Sequence, residues 1–551
     1  MRVVIVGGVA GGAATATRLR RLNEECEIVM YERGEYISFA NCGLPYYIGG
    51  VIKDREGIIV VTEKEMRKKY NIDVKTKHEV VSIDRENKRV KVKNLNTGEE
   101  FEDSYDFLVL SPGANPAKPP IPGIDSDKIF TLRTIPDADR IIAEIEKGSK
   151  EVVVVGGGFI GIEVAENLKL RGLNVHVVEM LPQVLSFLDR EMAEFVHEEL
   201  ISNGINLHLG SAVKEFRDKG DRIDVILENG KTVSGDFVVF AIGVKPEVNL
   251  ARDAGLSIGK FGGIEVNERM QTSDPDIYAV GDAVEIPHCV VDMNVRIALA
   301  GPATKEARIA ADNICGINSK YDCAMGTCVV KVFEISAGSC GLNSHLLKKS
   351  GIKYDSLYVW GFGHASYYPD AKPLYIKVLY SPEDKRILGA QVVGYEGVDK
   401  RVDVLATAMK FGANLVDVKD LNLSYAPPFG SSKDLVNYVG FVAENIFRGL
   451  SPSISPYEVD DYIKKGAIPL DVRNREELAT GKIEGSINIP LPELRERLNE
   501  LDKNKTYLTY CKAGLRGYIA QRILIGNGFK ALNIRGGYDL YRSFNRDRFG
   551  V

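Results

Sequence analysis

Apolar and polar positions in the first 33 residues follow a strand–helix–strand pattern. The run Val3–Val6 is entirely apolar and predicts a strand, and a glycine turn follows it directly. A helical segment then continues to about Leu22, and a second strand is predicted at Glu27–Glu32. The chain therefore begins with a βαβ unit.

The same pattern returns about 150 residues further along the chain. The apolar strand Val152–Val155 enters the glycine turn Gly156–Gly158, a helix is predicted to about Arg171, and strand Asn174–Glu179 closes the unit. The pattern therefore predicts two separate units of the dinucleotide-binding type.

The pattern changes from about Tyr321. Short apolar runs predict strands here, and a helix is predicted at Asp399–Phe411. The runs are Val329–Phe333, Leu374–Val378 and Leu388–Val393. The stretch from Ser451 to Pro456 is rich in Ser and Pro, which favours extended, unpaired backbone and indicates a linker. Strands and helices alternate again after it, so a further small α/β domain is predicted up to Val551.

Composition and charge narrow the functional classes. The chain has 551 residues, 44% apolar and 27% charged, which is typical of a globular protein of about three to four domains. Lys and Arg number 71 against 76 Asp and Glu, so there is no basic excess to bind nucleic acid. The longest apolar runs, Val152–Val155 and Phe237–Ile242, are too short to span a bilayer. We therefore expect neither nucleic acid nor a membrane as partner.

Cysteine usage and the amino-terminal segment indicate a reducing compartment. Glycines at positions 7, 8, 11 and 12 interrupt the first apolar segment, and no small-residue cleavage site follows, so no secretory signal is predicted. The eight cysteines are scattered and form no paired CxxC motifs. We therefore expect a cytoplasmic protein with free thiols, no disulfide framework and no metal site.

The second glycine turn matches the dinucleotide-binding fingerprint. Gly156, Gly158 and Gly161 form a complete GxGxxG between a predicted strand and a predicted helix. Glycine at these positions permits the tight turn, the close approach of backbone to pyrophosphate, and helix–strand packing. Glu179 closes the next strand, where a carboxylate can bond to the 2′-hydroxyl of the adenosine ribose. The spacing predicts an NAD site that favours NADH over NADPH.

The first glycine turn is less regular, because Val9 occupies the middle position of the fingerprint. Glu32 still ends the following strand, where it could bond to a ribose. Two further segments strengthen the prediction of a nucleotide site. One is the strand-like run that ends in Gly281 and Asp282, and the other is the strand at 105–114, which enters another glycine turn.

This ordered set of motifs resembles the flavoprotein disulfide reductase family over about residues 1–447. Members of that family carry an FAD unit, an inserted NAD(P) unit and a dimerisation domain. The resemblance implies contacts with the pyrophosphate of FAD for the glycine loop, with its ribose for Glu32, with its ribitol for Asp282, and with the flavin ring for the start of a later helix. The implied FAD residues are Gly7, Ala10, Gly12, Glu32, Arg33, Asp282, Leu299 and Ala300.

The residues around the redox cysteine indicate which branch of the family the sequence resembles. Most members use a Cys-x4-Cys pair, whereas here Cys42 is followed by Tyr47 at the place of a second cysteine. A single thiol cannot form an internal disulfide, so it must pair with a substrate thiol or be oxidised to a sulfenic acid. All seven histidines lie at or before position 364, so the carboxyl-terminal histidine base of the two-cysteine enzymes is absent. Ala10 stands where peroxidase and oxidase relatives carry histidine, which argues against peroxide chemistry.

The run SFANCGLPYY, from Ser38 to Tyr47, resembles the coenzyme A disulfide reductase branch. The resemblance implies a mixed disulfide between Cys42 and coenzyme A, with Ser38 and Asn41 in contact with the pantetheine. The predicted helix start beside Cys42 is expected to lower the pKa of its thiol.

The same resemblance assigns substrate contacts outside this run. It implies that Arg18 and Arg21, on the first helix, meet the ADP phosphates of coenzyme A and that Lys433 is a further basic contact with it. It also implies that Tyr367 and Tyr425 reach the sulfur from the other subunit of a homodimer. Tyr368 adjoins Tyr367 and remains an alternative to it.

The last hundred residues resemble the rhodanese family. Cys511 follows the predicted strand Thr506–Tyr510 and precedes a helix predicted from Tyr518, so loop N–H groups can stabilise a thiolate or a persulfide. The segments Pro469–Arg473 and 481–490 match the family's entry strand and following motif, except that Lys482 replaces a histidine. The loop from Cys511 to Arg516 has the six-residue length of sulfurtransferases. An inactive rhodanese fold used for docking is the alternative, and the intact Cys511 argues against it.

These resemblances imply an α/β protein with two Rossmann-like domains, an α+β dimerisation domain and a C-terminal rhodanese α/β domain. The expected boundaries are 1–112 with 246–320 for FAD, 113–245 for NAD(P)H, 321–450 for dimerisation and 451–551 for rhodanese. The implied activity is FAD- and NADH-dependent reduction of coenzyme A disulfide, coenzyme A persulfide or polysulfide, with Cys511 relaying sulfane sulfur. An NADH oxidase and a non-catalytic redox sensor whose tail docks a protein are the alternatives. The remaining cysteines, at 26, 289, 315, 323, 328 and 340, are expected to be small core residues.

Overall fold

A computed structural model of the chain describes residues 1–545, which divide into two compact units. The first unit comprises Met1–Val184 and Ile201–Gly326, and the second comprises Leu185–Leu200 and the chain from Thr327 onward. Residues 546–551, the end of the domain expected to reach Val551, lie outside the described residues. No helix within residues 1–545 is long and apolar enough to cross a membrane.

Two five-stranded parallel sheets form the centre of the first unit. The strand order of one is Ile277–Ala279, Phe107–Leu110, Arg2–Val6, Glu27–Glu32 and Asp73–Thr76. The order of the other is Asn206–Leu209, Asn174–Glu179, Glu151–Val155, Phe237–Phe240 and Ile129–Phe130. In each sheet the strand that enters a glycine turn is central and almost wholly buried, which explains its unbroken apolar sequence.

Helices cover these sheets, and smaller sheets, mostly antiparallel, flank them. The helices of the first unit are Ala10–Leu22, Leu44–Ile48, Glu63–Tyr70, Ile135–Glu146, Phe159–Leu170, Asn249–Asp253 and Ala300–Ile314, with 3-10 turns at Asn41–Gly43 and Arg55–Ile58. The flanking strands are His78–Asp84, Arg89–Asn94 and Glu100–Ser104, then Val213–Asp218, Ile223–Leu227 and Thr232–Gly235, then Ala114–Pro116 with Val244–Pro246, and Ile264–Glu265, Val284–Pro287 and Asn294–Val295. Helix Arg190–Ser202 falls mostly in the second unit.

The second unit contains an antiparallel sheet and a parallel sheet. The antiparallel order is Cys328–Val332, Ile335–Gly341, Ile387–Gly394, Pro373–Tyr380 and Asp355–Phe362. Its accompanying helices are Ser344–Lys349, Val398–Lys410 and Leu435–Phe447, with a 3-10 turn at Asp417–Asp420. The core between sheet and helices is apolar, with Val378, Leu405 and Val439 fully buried.

The parallel sheet lies after the Ser- and Pro-rich linker. Its order is Ser453–Ile454, Lys530–Ile534, Thr506–Tyr510, Ile468–Asp471 and Ile487–Asn488. Its helices are Val459–Lys464, Leu515–Gly526 and Gly537–Phe544, with 3-10 turns at Pro456–Glu458, Arg475–Thr480, Leu491–Glu493 and Leu498–Glu500. The helix predicted from Tyr518 begins instead at Leu515, because Gly514, with φ 117°, ends the preceding loop.

The expectation of free thiols and no disulfide is wrong for two of the eight cysteines. Cys289 and Cys323 form a disulfide with their Cα atoms 5.1 Å apart. Backbone hydrogen bonds from Cys289 to Ala324 and from Ala324 to Pro287 hold the two segments side by side. A pairing across 34 residues arises from tertiary structure and leaves no local pattern in the sequence. Of the other cysteines expected in the core, Cys26 and Cys340 are buried and Cys315 and Cys328 half-buried.

Candidate active sites

The first glycine turn has the geometry of a nucleotide loop. Gly7 has φ 95° and donates its N–H to the carbonyl of Tyr31 on the neighbouring strand. A Cβ on Gly12 would lie 1.8 Å from the carbonyl oxygen of Gly7, so the close approach of helix to turn requires glycine. The Glu32 carboxylate accepts hydrogen bonds from the N–H groups of Gly8, at 2.8 Å, and Gly34, at 2.7 Å.

The second glycine turn repeats this geometry almost contact for contact. Gly156 has φ 112° and donates to Val178, and a Cβ on Gly161 would lie 1.9 Å from the carbonyl oxygen of Gly156. The Glu179 carboxylate accepts hydrogen bonds from the N–H groups of Gly157, at 2.6 Å, and Leu181, at 2.8 Å. Both loops therefore hold an acidic residue against the turn, where a ribose binds in such folds.

The residues around the first loop fit FAD. Ala10 is exposed at the first position of a thirteen-residue helix, so the helix N-terminus is open to a pyrophosphate. The Asp282 side chain has no hydrogen bond to another described residue, and burial raises its pKa, only partly offset by Arg133. A half-buried carboxylate without a donor suits the hydroxyl groups of a ribitol. The helix N-terminus on the second loop is open in the same way, because a Cβ on Gly158, which caps helix Phe159–Leu170, would meet no other atom within 4 Å.

Further residues near this loop differ in how they are held. Leu299 precedes and Ala300 begins the helix Ala300–Ile314, and Ala300 is exposed. Arg33 is 44% exposed and donates to the side chain of Asn115 at 3.0 Å. Burial lowers the pKa of Arg133, and the charge of Arg33 lowers it further. The guanidinium groups of Arg33 and Arg133 are therefore close enough for their charges to interact.

The segment with Cys42 is fixed against the first glycine loop. Ser38 has φ 43° and donates its N–H to the carbonyl of Gly8 at 2.9 Å, which brings the start of the segment to the FAD turn. Asn41 donates from Nδ2 to the carbonyl oxygen of Arg133 at 3.2 Å. Cys42 then lies in the 3-10 turn Asn41–Gly43 and is exposed.

The expected lowering of the Cys42 pKa is wrong. Partial desolvation of the sulfur raises its pKa, and the carboxylates of Glu163 and Asp282 raise it further. Burial also raises the pKa of Glu163 to about 7, and Tyr46 donates its hydroxyl to this carboxyl at 3.2 Å. Any effect of the short helix after Cys42 is outweighed by desolvation of the sulfur together with these two acidic groups, which come from distant parts of the sequence.

Tyr47, at the place of a second cysteine, has a structural partner. Its hydroxyl donates to Asp139 at 3.1 Å, and Arg55 bonds to the same carboxylate at 2.8 Å. This network ties the Cys42 segment to helix Ile135–Glu146, in which Asp139 lies.

The two basic residues expected to meet coenzyme A phosphates differ in their surroundings. The Arg18 guanidinium forms an ion pair with Asp312 at 2.7 Å, and both side chains are mostly buried. Arg21 is exposed on the same helix. Arg21 is therefore the more accessible cation for an incoming phosphate, whereas Arg18 would have to share its charge with Asp312.

In the second unit, the two tyrosines expected at the sulfur lie together. The hydroxyl groups of Tyr367 and Tyr425 are 2.7 Å apart, and the rings are 74% and 46% exposed. The neighbouring Tyr368 instead packs edge-on against His364, with ring centroids 5.5 Å apart. The structure thus pairs Tyr367, not Tyr368, with Tyr425. Lys433 is exposed, and its ammonium lies 6.0 Å from the ring of Tyr438.

The loop around Cys511 forms a compact cradle. Cys511 is 3% exposed, and its sulfur accepts the N–H of Gly514 at 3.1 Å. Arg516 lies at the start of the following helix and is held by Glu477 through two hydrogen bonds of 2.6 and 2.7 Å. The hydrogen bonds to Glu477 raise the pKa of Arg516, and proximity to Cys511 raises it further. The loop therefore offers a fixed cation and a fixed N–H group to an anionic sulfur.

Sequence reasoning missed three residues of these sites. They are Arg133 near the FAD loop, Glu163 near Cys42 and Glu477 beside Arg516. Glu163 lies two residues after the last glycine of the fingerprint, so its place on an inward-facing turn of that helix was the one available signal. Arg133 and Glu477 reach their sites only through tertiary folding.

Three protein-family models match successive parts of the chain. The model for pyridine nucleotide-disulphide oxidoreductases matches residues 1–307, and the model for their dimerisation domain matches 327–434. The model for rhodanese-like domains matches residues 455–543.

Individual relatives cover most or all of the chain. An NADH oxidase of Methanocaldococcus jannaschii is 38% identical, over 78% of this chain and 95% of that protein. A coenzyme A disulfide reductase of Staphylococcus aureus is 35% identical, over 80% of this chain and 100% of that protein.

Two solved structures match both units. Reduced Bacillus anthracis CoADR-RHD is 47% identical, with a TM-score of 0.97 over 99% of this chain and 98% of its own. An NAD-dependent persulfide reductase from A. fulgidus is 38% identical, with a TM-score of 0.93 over 98% of this chain and 100% of its own. The chain belongs to the pyridine nucleotide-disulphide oxidoreductase family and carries that family's dimerisation domain followed by a rhodanese-like domain.

Proposed function

We propose that this protein is an NADH-dependent flavoprotein reductase of coenzyme A disulfide and coenzyme A persulfide, with a rhodanese domain that supplies sulfane sulfur. The observation that carries the proposal is the pair of thiols on one chain. Within residues 1–545, Cys42 is the exposed free cysteine, whereas Cys511 lies in a rhodanese loop. The full-length similarity to a persulfide reductase and the similarity to a coenzyme A disulfide reductase support it.

FAD and NAD(H) are the cofactors, as in the rest of this family. The chemistry that FAD supplies when bound is the passage of two electrons from NADH to a disulfide. This chain contributes the two glycine loops that hold the pyrophosphates, with Glu32 and Glu179 placed for the riboses. The negative charge of Glu179 would repel a 2′-phosphate, which favours NADH over NADPH.

Cys42 acts as the nucleophile toward the sulfur substrate. Its thiolate attacks one sulfur of coenzyme A disulfide, so that a Cys42–coenzyme A disulfide forms and one coenzyme A thiolate leaves. Two electrons then cleave this mixed disulfide into the Cys42 thiolate and a second coenzyme A thiolate. Coenzyme A disulfide, NADH and one proton thus give two coenzyme A and NAD⁺. With the persulfide the products are coenzyme A, hydrogen sulfide and NAD⁺.

Glu163 and Tyr46 supply a proton-handling group at this sulfur. Because the pKa of Glu163 is about 7, its carboxyl can hold or release a proton near neutral pH. Its hydrogen bond with Tyr46 fixes the carboxyl beside Cys42, whose pKa responds to its charge. Ser38 and Asn41 would then orient the pantetheine arm, and Arg21 and Lys433 would meet its phosphates.

Tyr367 and Tyr425 would complete the Cys42 site from the other copy of a homodimer. The two phenols form one exposed hydrogen-bonded pair, suited to donate a proton to a leaving thiolate. The match to a dimerisation domain at residues 327–434 supports this assembly. We also propose that the protein works in the cytoplasm, where NADH and coenzyme A are available.

Cys511 would carry sulfane sulfur. Its sulfur takes the terminal sulfur from a polysulfide, which leaves one atom shorter, and coenzyme A thiolate then takes that sulfur as the persulfide. The N–H of Gly514 and the guanidinium of Arg516 stabilise the anionic sulfur through each transfer. The intact loop argues against a purely docking role for this domain.

The division of labour is tested by substituting each thiol separately. Cys42→Ser is expected to abolish NADH turnover with every sulfur substrate, because the reducible disulfide cannot form. Cys511→Ser is expected to spare coenzyme A disulfide and to impair polysulfide. Equal losses in both variants with both substrates contradict the proposal.

An NADH oxidase is the second candidate, favoured by the relative of that name in Methanocaldococcus jannaschii. In that case oxygen would be consumed in step with NADH, and Cys42→Ser would leave the rate unchanged. A redox sensor would instead show negligible turnover with oxygen and with every sulfur substrate.

A further inference from the structure

The turn that follows strand Lys530–Ile534 lies directly behind the Cys511 loop. Gly536 and Gly537 both have positive φ, 70° and 64°, a backbone conformation that favours glycine. A Cβ on Gly537 would lie 2.5 Å from the carbonyl oxygen of Cys511, so the turn and the loop are in immediate contact. Any displacement of this turn must therefore move the loop or open a gap behind it.

Backbone hydrogen bonds fasten the turn to the loop. Tyr538 donates its N–H to the carbonyl of Cys511 at 2.8 Å, and Asp539 donates to the carbonyl of Lys512 at 3.0 Å. The orientation of the first two loop peptides is therefore fixed by the start of helix Gly537–Phe544. The direction of those peptides sets where the Cys511 sulfur meets the N–H of Gly514.

The residue that precedes this turn is anchored in the dimerisation domain. Arg535 donates from Nη1 and Nη2 to the two carboxylate oxygens of Asp355, at 2.5 and 3.2 Å, and from Nη1 to the carbonyl of Ser356 at 2.6 Å. Its side chain is only 12% exposed. Tyr380, on the adjacent strand, donates its hydroxyl to Asp355 at 2.9 Å and holds the carboxylate in place.

A second contact, farther along the chain, joins helix Gly537–Phe544 to helix Arg190–Ser202. Arg542 forms an ion pair with Glu198 at 2.9 Å, and both side chains are about one-third to one-half exposed. This pair does not touch the turn or the Cys511 loop through any described contact. One ion pair therefore lies just before the turn and the other lies within the helix that follows it, so the two differ in their link to the loop.

We propose that Asp355 and Arg535 are positioning residues for sulfur transfer, so that the dimerisation domain holds the Cys511 loop in its reactive geometry. The chain of contacts runs from Asp355 through Arg535 and the Gly536–Gly537 turn to the carbonyl of Cys511. This inference rests on the proposed role of Cys511 in sulfur transfer. It adds that the rhodanese domain depends on a residue outside itself for full activity.

The test uses full-length holoenzyme and the transfer of sulfur from thiosulfate to cyanide. Asp355→Asn and Arg535→Met are expected to lower kcat for this transfer about 10-fold or more, since small displacements of reacting groups cost this much. Arg535→Lys, which can still bond to Asp355, is expected to retain at least one third of the wild-type rate. NADH-dependent reduction of coenzyme A disulfide should stay within about 2-fold of wild type in all three variants.

Arg542→Met is the matched control, because it removes the ion pair within helix Gly537–Phe544 and leaves the pair of Arg535 and Asp355 in place. It should stay within about 2-fold of wild type in the transfer assay. Equal losses in Arg542→Met and Arg535→Met, or an unchanged rate in Asp355→Asn, overturn the inference. If wild type transfers no sulfur and Cys511→Ser changes nothing, the proposed role of Cys511 fails instead, so the two failures are distinguishable.

Discussion

The buried pair of Arg401 and Asp434 joins the two segments that carry the paired tyrosines. Arg401 donates to both oxygens of Asp434, at 2.8 and 3.2 Å, and to the carbonyl of Gly363, four residues before Tyr367. Asp434 also caps the helix that begins at Leu435, just after Lys433. Removal of the Arg401 guanidinium should therefore disturb both segments together.

The burial of this ion pair sets how much stability the Arg401→Met variant should lose. The side chains of Arg401 and Asp434 are 1% and 3% exposed, so Arg401→Met removes the buried counter-charge of a carboxylate that is itself away from water. Loss of one partner of such a pair costs about 3–5 kcal/mol of the free energy of unfolding. Lys400 is the matched control, because its ammonium lies 3.4 Å from the same carboxylate but is 29% exposed. Lys400→Met should cost less than about 1 kcal/mol.

The assay uses the one tryptophan of the chain. Trp360 lies in strand Asp355–Phe362 of the dimerisation domain, so its fluorescence during urea titration reports the unfolding of this part of the protein. Turnover with coenzyme A disulfide is measured in parallel. The Arg401→Met variant should lose most of this turnover even without urea, where it is still folded. Arg401 holds the pKa of the buried Asp434 carboxyl below its usual value. The stability that this ion pair gives the wild-type protein is therefore fully present above the pKa of about 4 that an aspartate has in the unfolded chain, and it is lost as pH falls through the lower pKa of the folded state.

The double variant Arg401→Met/Asp434→Asn separates charge burial from lost packing. Removing the stranded charge should recover part of the stability lost in Arg401→Met alone. Equal destabilisation by Arg401→Met and Lys400→Met would refute the reasoning. So would a stable Arg401→Met variant with full turnover.

Three further predictions concern the first unit. Glu163→Gln removes a negative charge that raises the pKa of Cys42, so the midpoint of the pH dependence of Cys42 alkylation, resolved by mass spectrometry, should move to lower pH. An unmoved midpoint contradicts this assignment. Glu179→Gln should raise the ratio of kcat/KM for NADPH to that for NADH about 10-fold, because a charge that repels the 2′-phosphate is lost, and a ratio equal to wild type would place the ribose elsewhere. Cys289→Ser removes the disulfide that closes a loop across 34 residues, and it should lower the free energy of unfolding by about 3–4 kcal/mol. The change is measured by the release of flavin on heating, and identical release curves for variant and wild type would mean that the bond does not constrain the fold.

Local patterns predicted the parts of the sites that depend on local geometry. The two glycine turns and their acidic partners, Glu32 and Glu179, occupy equivalent positions in the two sheets, because strand, turn and helix are set by neighbouring residues. The rhodanese loop around Cys511 follows for the same reason. Family resemblance added the pairing of Tyr367 with Tyr425, which are 58 positions apart.

Contacts between distant segments account for what the sequence did not predict. Burial raises the pKa of Cys42, and Glu163 and Asp282, which follow it by more than one hundred residues, raise it further. The resemblance implied that Arg18 meets a coenzyme A phosphate, and its ion pair with Asp312 on another helix was not predicted. The Cys289–Cys323 disulfide depends on adjacent backbone segments that only the folded chain brings together.

The most direct test of the central claim is the rate of anaerobic NADH oxidation by the purified holoenzyme with polysulfide, with and without a catalytic amount of coenzyme A. Our account predicts that coenzyme A sharply accelerates NADH oxidation and that hydrosulfide accumulates in step with it. It also predicts that Cys511→Ser suppresses this acceleration. If coenzyme A makes no difference and only oxygen restores NADH oxidation, the account is contradicted and the oxidase takes its place.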